Sequence, residues 1–306
     1  MTRALRAATR RSTLARTQTD HVAALLGVDI DFVLVETTAD RRPEIPLWEL
    51  GGQGAFVTEV QAAVLDDRAD IAVHSAKDLR STPTDGLVIA AVPEREDPRD
   101  ALVGSTLDTL PVGGRVGTGS VRRRAQLSWL RPDLTFGGLR GNIETRLAAA
   151  GRFDAIVVAY AALRRLGRTA AVAEVLDPSV MLPQVAQGAL AVECRVGDER
   201  VRSLLAPIEH RPTRRAVDAE RAFLAELGGG CDRPVGAFAT VDDDGRVHLD
   251  ALVASGDGRI LFRDRADGDD PGAVGRDLGR ALLERAGAAQ ILDDAAPTVA
   301  AFPRDE

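Results

Sequence analysis

The strongest constraint on the fold is that the chain repeats itself. RAATRRSTLAR near the N-terminus and GRVGTGSVRRRAQL in the middle share one plan: a short apolar strand, a turn carrying Thr or Ser, and a helix that opens on basic residues. In the same way DRADIAVHSAKDL resembles GRFDAIVVAYAAL. Strands alternating with helices predict a parallel or mixed sheet in an α/β fold. Two related lobes of this kind, facing one another, enclose a cleft lined by the turns at the C-terminal ends of their strands.

The elements expected within that plan follow from local pattern. LRAA reads as a strand, TRRS as a turn with Ser12 or Thr13 as cap, and the stretch to Leu26 as a helix. DFVLVET is a second strand, the glycines of PLWELGGQGAFVTEV mark a flexible loop, Phe56 to Leu65 has helical periodicity, and ADIAVHS closes the unit as a strand. Past MLPQVAQGALAVECR the pattern changes. PTRRAVDAERAFLAEL predicts a helix, GGGC a loop, and GAFATV, RVHLDALVA and RILFRDRA three strands separated by the turn signals DDDG and SGDG. A last amphipathic helix is expected over roughly Ala273 to Ala286. The reading is thus α/β: one lobe from 1–93 and 189–207, a second from 97–183, and a small α+β domain over 211–306.

Composition narrows the function classes. At 306 residues, 45% hydrophobic and 28% charged, the chain is ordinary globular material. A formal charge of −7 argues against non-specific binding to nucleic acid or an anionic membrane. No run approaches the roughly 20 apolar residues of a membrane span, and MTRALRAATRRS lacks the apolar stretch of a secretory signal. Cys194 and Cys231 are too few for a disulfide scaffold. His21, His74, His210 and His248 are scattered, so no histidine-built metal site is expected, and the default setting is reducing and cytoplasmic.

The chemistry-bearing residues collect at the predicted strand ends. Arg10 and Arg11 follow the first strand, Arg122, Arg123 and Arg124 the strand ending at Gly117, Arg140 and Arg146 bracket LRGNIETRL, and Arg164 and Arg165 close the next unit. Guanidinium groups where a loop becomes a helix suit carboxylates or phosphates. Single arginines of this kind are often merely solvated, but convergence from two lobes implies a polyanionic small ligand. Thr118, Gly119 and Ser120 read either as a tight turn with a cap or as part of that anion cradle.

Of 39 Lys plus Arg residues, only Lys77 is a lysine. It lies with Asp78 just past the buried strand IAVHS, and the pair reads as a surface ion pair of little worth or as working groups at the lip of the cleft. His74 on that strand reads as a satisfied core histidine. Cys231 ends LGGGC, where three glycines would present its thiol as a nucleophile, whereas Cys194 inside ALAVEC reads as a small apolar residue. On these residues alone, an anion-binding or sensing module and a Schiff-base lyase using Lys77 both stay open.

With those residues in place, the chain resembles the porphobilinogen deaminase (hydroxymethylbilane synthase) family from Arg6 to about Ala289. The motifs that carry the resemblance are ATRRSTLA, GGQGAFV, DIAVHSAKDL, EREDPRDALV, VGTGSVRRRAQL, LRGNIETRL, DAIVVAYAALRRLG, LPQVAQGALAVECR, AERAFL and GGGCDRPVGA, in family order. The resemblance implies two lobes like those of periplasmic binding proteins plus a third domain. It implies a transferase of tetrapyrrole and heme biosynthesis that joins four porphobilinogen units head to tail, loses ammonia at each step and releases hydroxymethylbilane. The growing chain would be held on a dipyrromethane cofactor in thioether linkage to Cys231. Asp78 matches the catalytic aspartate that contacts pyrrole N–H groups and stabilises the cationic azafulvene. Arg10, Arg122, Arg123, Arg140, Arg146 and Arg165 match positions that bind acetate and propionate groups. Ser12, Thr118 and Ser120 match hydroxyl donors, and Lys77 and Gly141 further cofactor contacts. Phe56 matches a mobile-loop aromatic near the pyrroles, and Asn142 and Gln187 fall in matching motifs.

The family further suggests a monomer, without metal, nucleic acid or membrane, that passes its product to a downstream cyclising synthase. Three departures stand out: Glu49 and Gln53 replace usual loop lysines, TTAD ending at Asp40 replaces TxGD, and Gly119 replaces a hydroxyl residue in GTSS.

Overall fold

The computed structural model describes residues 4–41, 54, 56–229, 233–285 and 291–292. The first part of the chain runs β1 (Leu5–Arg10), α1 (Thr13–Leu26), β2 (Ile30–Val35), α2 (Thr38–Arg41), α3 (Thr58–Leu65), β3 (Ile71–Ser75) and β4 (Leu87–Ala91). The middle continues as β5 (Asp100–Val103), β6 (Arg115–Gly117), α4 (Val121–Leu130), β7 (Thr135–Gly137), α5 (Ile143–Ala148), β8 (Ala155–Ala159), α6 (Tyr160–Arg165) and β9 (Glu174–Val175). Then come β10 (Leu190–Arg195), α7 (Glu199–Leu205), α8 (Arg211–Glu226), β11 (Val235–Val241), β12 (Val247–Ala254), β13 (Leu261–Gly268) and α9 (Pro271–Glu284).

These strands form three sheets, ordered β2-β1-β3-β10-β4, β7-β6-β8-β5-β9 and β11-β12-β13. The first two are built alike. In each, the first strand of a unit lies parallel between its next two partners, and one antiparallel strand follows: β10 against β3, β5 against β8. That antiparallel strand lies beyond a crossing between the sheets in both cases, since β5 follows residues 92–99 and β10 follows residues 176–189. Central strands covered on both faces need unbroken apolar runs, and β8 (AIVVA) is buried throughout while IAVHS of β3 is buried up to Ser75.

Local caps match the expected turns. Ser12 caps α1 by accepting from the Ala15 amide, and Gly27 stops that helix with φ +63°, the left-handed region that glycine enters without a Cβ clash. Ser120 caps α4 and Asn142 caps α5 in the same way. The helix expected from Phe56 starts at Thr58, because Phe56 and Val57 are held in the turn from Gly54. The last helix begins at Pro271 and ends at Glu284, with Asp270 capping its first turn.

The third sheet is an antiparallel meander covered on one face by α8 and α9. These helices lie so close that a Cβ on Gly275 would meet the Ala219 carbonyl at 2.2 Å. Their core, with Phe223, Leu249, Leu278 and Leu282, is continuous with Val92, Val185 and Ala189 of the crossing segments and with Ala76 and Leu79. The turn that carries Lys77 and Asp78 therefore packs against the C-terminal sheet as well as its own lobe. No helix among the described residues is long and apolar enough to cross a membrane.

Candidate active site

The site grows from the ends of the parallel strands. Lys77 and Asp78 form a short 3₁₀ turn directly after β3, anchored where the Ala76 amide donates to the Ala189 carbonyl. Beneath them the strand is fixed by a buried network. His74 Nε2 lies 3.1 Å from Glu193 Oε2 on β10, and Gln61 of α3 donates to the same oxygen at 2.8 Å. His74 is thus a structural histidine, as expected, but it is buried rather than half-buried, and its Nε2 approaches Glu193 without forming a hydrogen bond among the described residues.

Lys77, Asp78, Ser120, Arg122, Gln184 and Arg233 come together around a cavity of about 30 Å³, closed on its apolar side by Leu79, Val185, Leu224 and Val235. The space is on the scale of a small polar group rather than a whole ring. Asp78 is the one carboxylate among these lining residues, against the cations Lys77, Arg122 and Arg233. The lining draws on the β3 turn, the start of α4, the second crossing segment and the C-terminal domain.

The cations reach this point in different electrostatic states. Burial pushes the Lys77 ammonium down to about 8, against a pull upward from Asp78 and a further push down from Arg123. Its Nζ donates to Gln187 Oε1 at 3.3 Å. Arg122 is 3% exposed and places Nη1 on Asp100 and on the Leu182 carbonyl, leaving Nε and Nη2 buried with no partner among the described residues. Orphaned buried N–H groups are rare. Beside a surplus of positive charge, they fit an anionic ligand.

Arg123 is committed to the fold: Nε and Nη2 donate to Asp100 Oδ1 at 3.1 and 2.8 Å, and Nη1 to the Val157 carbonyl. Asp100 itself is fully buried. Burial alone would raise its carboxyl, but Arg122 and Arg123 together hold it well below the usual range. Gln187 bridges the two halves, since Nε2 donates to Asp100 Oδ1 at 2.8 Å while Oε1 accepts from Lys77. It is aimed there by Ala186, a non-glycine residue at φ +59° whose amide is held by Glu220 at 2.6 Å.

Other predicted residues stand around this centre. Arg146 donates to the Gly141 carbonyl, and its guanidinium falls to about 10 through burial and the neighbouring charges of Arg123 and Arg140. Gly141 needs its φ of +97°, and a Cβ there would lie 2.8 Å from the Thr145 methyl. Thr118 is fully buried, and its hydroxyl accepts from the Ser120 amide, so it shapes the turn from within. Gly119, one of the departures noted in the sequence, lies where a Cβ would sit 2.7 Å from the Leu139 carbonyl, so a serine there would need the backbone to shift.

Two further predicted arginines have internal partners. Arg10 is paired with Asp40 through Nε and Nη2, with Phe56 stacked over the guanidinium at 4.4 Å. Arg165 donates to the Gly188 carbonyl and lines a separate hollow of about 830 Å³ with Arg95, Arg99 and Arg164, and burial lowers it to about 10. Cys231, Glu49 and Gln53 lie outside the described residues. Cys194 is buried in β10, where burial pushes its thiol up to about 11.

Four residues near the site went unremarked in the sequence: Asp100, Gln184, Glu220 and Arg233. Asp100 had a visible signal, a carboxylate opening the apolar strand ALV, which demands a buried cation nearby. Glu220 is fully buried in α8 and takes both arms of Arg95 together with the amides of Ala186 and Ala239. Only its place among apolar helix positions hinted at this.

Fold and site together define a two-lobed α/β protein whose third domain contributes to a cavity lined mainly by cations. Family models match in order: "Porphobilinogen deaminase, dipyromethane cofactor binding domain" over residues 5–203, and "Porphobilinogen deaminase, C-terminal domain" over 215–284. The chain belongs to the porphobilinogen deaminase family. It is 48% identical to the porphobilinogen deaminase of Acidothermus cellulolyticus, over 98% of this chain and 94% of that one. To that of Brevibacillus brevis it is 46% identical, over 93% and 95%. Among solved structures, a periplasmic His/Glu/Gln/Arg/opine family-binding protein from Silicibacter pomeroyi in complex with lysine is similar at a TM-score of 0.35 and 13% identity, covering 67% of this chain and 88% of that one. Family membership decides against a bare anion-binding module and against a lyase acting through Lys77.

Proposed function

We propose that in this porphobilinogen deaminase Asp78 is the catalytic group and Cys231 the anchor of the dipyrromethane cofactor. The observation that carries this reading is the cavity in which Asp78 is the single lining carboxylate, faced by Lys77 and Arg122 and bordered by Arg233, two residues beyond Cys231. The choice between the two cysteines is supported by Cys194, whose thiol, raised to about 11 inside a strand, is not a nucleophile at neutral pH.

Porphobilinogen carries an acetate and a propionate, and arginine with its planar fork suits both. Arg122 offers its two unpartnered N–H groups, Lys77 its ammonium, and Arg146 a guanidinium whose charge is already strained by Arg123 and Arg140. When bound, dipyrromethane supplies the free α-carbon to which each new unit is joined. Asp78 accepts from the substrate pyrrole N–H, so its negative charge stabilises the cationic azafulvene as ammonia leaves, and it takes up the proton released after coupling. Gln187 holds Lys77 beside it through the bond to Oε1.

Ser12, Ser120 and Gly141 line the strand ends as hydroxyl and backbone donors. Arg140 and Arg123 act mainly by raising the local positive potential. Arg10, with Phe56 over it, and Arg165 bind carboxylates of later units as the chain lengthens, Arg10 exchanging Asp40 for a ligand carboxylate. Action as a monomer is the family expectation retained in this reading. A thiol that must stay reduced fits a cytoplasmic setting, and the open-chain product suits direct transfer to a downstream cyclising synthase.

The test is to mix the protein with porphobilinogen and measure uroporphyrin I after acidification and oxidation, for wild type and Asp78→Asn. Wild type is expected to produce it, and the variant to retain its fold but lose about 100-fold or more of the rate. Near-normal output from the variant removes Asp78 from the mechanism.

A further inference from the structure

We infer that Arg233 is a ligand for a carboxylate of the dipyrromethane, supplied by the C-terminal domain itself; this rests on the proposed anchorage at Cys231. Lys77 and Arg122 reach the cavity from the two lobes, and Arg233 is the cation that reaches it from the third part of the chain. It is half-buried and steadied by a bond from Nη1 to the Leu227 carbonyl at 2.9 Å, which orients the fork without neutralising it. A backbone carbonyl removes no charge, so Arg233 brings an unneutralised cation to a lining whose own carboxylate is Asp78, while Arg122 is already paired behind the cavity with Asp100.

Covalent geometry adds a second reason. Two peptide units keep the Cα atoms of residues 231 and 233 within about 8 Å of each other, whatever path the chain takes. A ring attached at Cys231 through one sulfur is thus tethered two residues from Arg233. Each such ring carries two carboxylates. Arg122 offers its buried, unpartnered Nε and Nη2 and Lys77 a desolvated ammonium, and Arg233 adds a guanidinium to the same lining, which also includes Leu224 and Val235. Arg233 therefore acts on the resident group rather than on incoming porphobilinogen. It couples placement of the third domain to cofactor loading.

The test uses Arg233→Gln, which keeps an N–H for the Leu227 carbonyl but deletes the charge, and Arg233→Lys, which keeps the charge without the fork. Each is made in the wild-type background and in Cys231→Ser, which cannot carry the adduct. Intact mass establishes the dipyrromethane adduct, and the readout is the rise in Tm of the loaded protein over its Cys231→Ser counterpart. The expected result is that Arg233→Gln shrinks this rise by about 3 °C or more while the Cys231→Ser forms melt together, that Arg233→Lys recovers part of it, and that KM for porphobilinogen stays put. A folded Arg233→Gln protein that fails to acquire the adduct also supports the assignment. An unchanged rise, or equal loss of Tm in loaded and Cys231→Ser forms, overturns it. A wild-type mass matching the bare chain overturns the role of Cys231 instead, so the two failures are distinguishable.

Discussion

Asp100→Asn probes the buried charge cluster behind the site. The substitution keeps the shape and one acceptor oxygen but removes the charge that faces Arg122 Nη1 and Arg123 Nη2, each at 2.8 Å. Both guanidiniums are almost wholly buried, at 3% and 5% exposure, so neither can turn to water. Removing one partner of a buried pair costs about 3–5 kcal/mol, because the remaining charge is left uncompensated. Here two cations are stranded, and the amide N–H₂ of Asn would face one of them, so about 4 kcal/mol is the expected loss. A chain of three sheets need not unfold in one step, so the measurement is native-state hydrogen exchange of peptides covering β5, α4 and β8. Their opening free energy should fall by that amount while peptides from β12 and α9 barely move. Arg123→Met added to Asp100→Asn should recover part of the loss, since it deletes one stranded charge. A fall of under about 1 kcal/mol, or no recovery in the double variant, would refute the argument. The pH sign follows from the lowered Asp100 carboxyl: its contribution is complete above the unfolded value near 3.9 and fades only as pH falls toward the lower folded value. These peptides should therefore stay protected at pH 3.

The remaining tests are shorter. Intact mass of an active preparation should exceed the polypeptide by one dipyrromethane; Cys231→Ser should abolish the adduct and Cys194→Ala should keep it. Lys77 has a folded value of about 8 against 10.5 unfolded, so its charge disfavours the native state below pH 8 and the penalty fades between pH 8 and 10.5. The Cys231→Ser protein should accordingly gain Tm relative to the loaded protein across that range, and parallel curves would contradict it. Glu220→Gln strands Arg95 and weakens the bonds to the Ala186 and Ala239 amides; a loss of about 3 kcal/mol in hydrogen-exchange protection of α8 is expected.

The lobes were legible because their information is local and repeated. A five-residue apolar run with β-branched residues, such as AIVVA, suits a strand covered on both sides, and its twin IAVHS is buried up to Ser75, so one sheet plan serves both halves. Caps were legible for the same reason: Ser12 bonds an amide three residues away. The arginines were legible as cations but not as partners. Arg10 meets Asp40 thirty residues on, and Arg123 meets Asp100 across β5 and α4. Pattern and spacing carry no information about which carboxylate a guanidinium will meet once the sheets assemble. Arg233 was hidden differently, since a residue in a loop after three glycines has no periodicity to place it, and only the packing of the third sheet against the Lys77 turn brings it to the cavity.

This division of the cations explains how a chain with a net charge of −7 can hold a dianionic substrate. Arg10, Arg95, Arg123 and Arg164 already have internal carboxylates in Asp40, Glu220, Asp100 and Glu96. Lys77, Arg122, Arg146 and Arg165 are among those whose charged forms are disfavoured, chiefly by burial. A ligand carboxylate placed beside any of them removes an existing penalty as well as adding an attraction, so binding is strongest where the fold has left charge uncompensated. Among the internally paired arginines, Arg123 has a separate effect. It adds to the cost borne by its neighbours Lys77 and Arg146, an effect that Asp100 opposes at Lys77. Neutralising Arg123 is therefore expected to ease the penalty on Lys77 and Arg146 and so to weaken the pull of either on a ligand carboxylate.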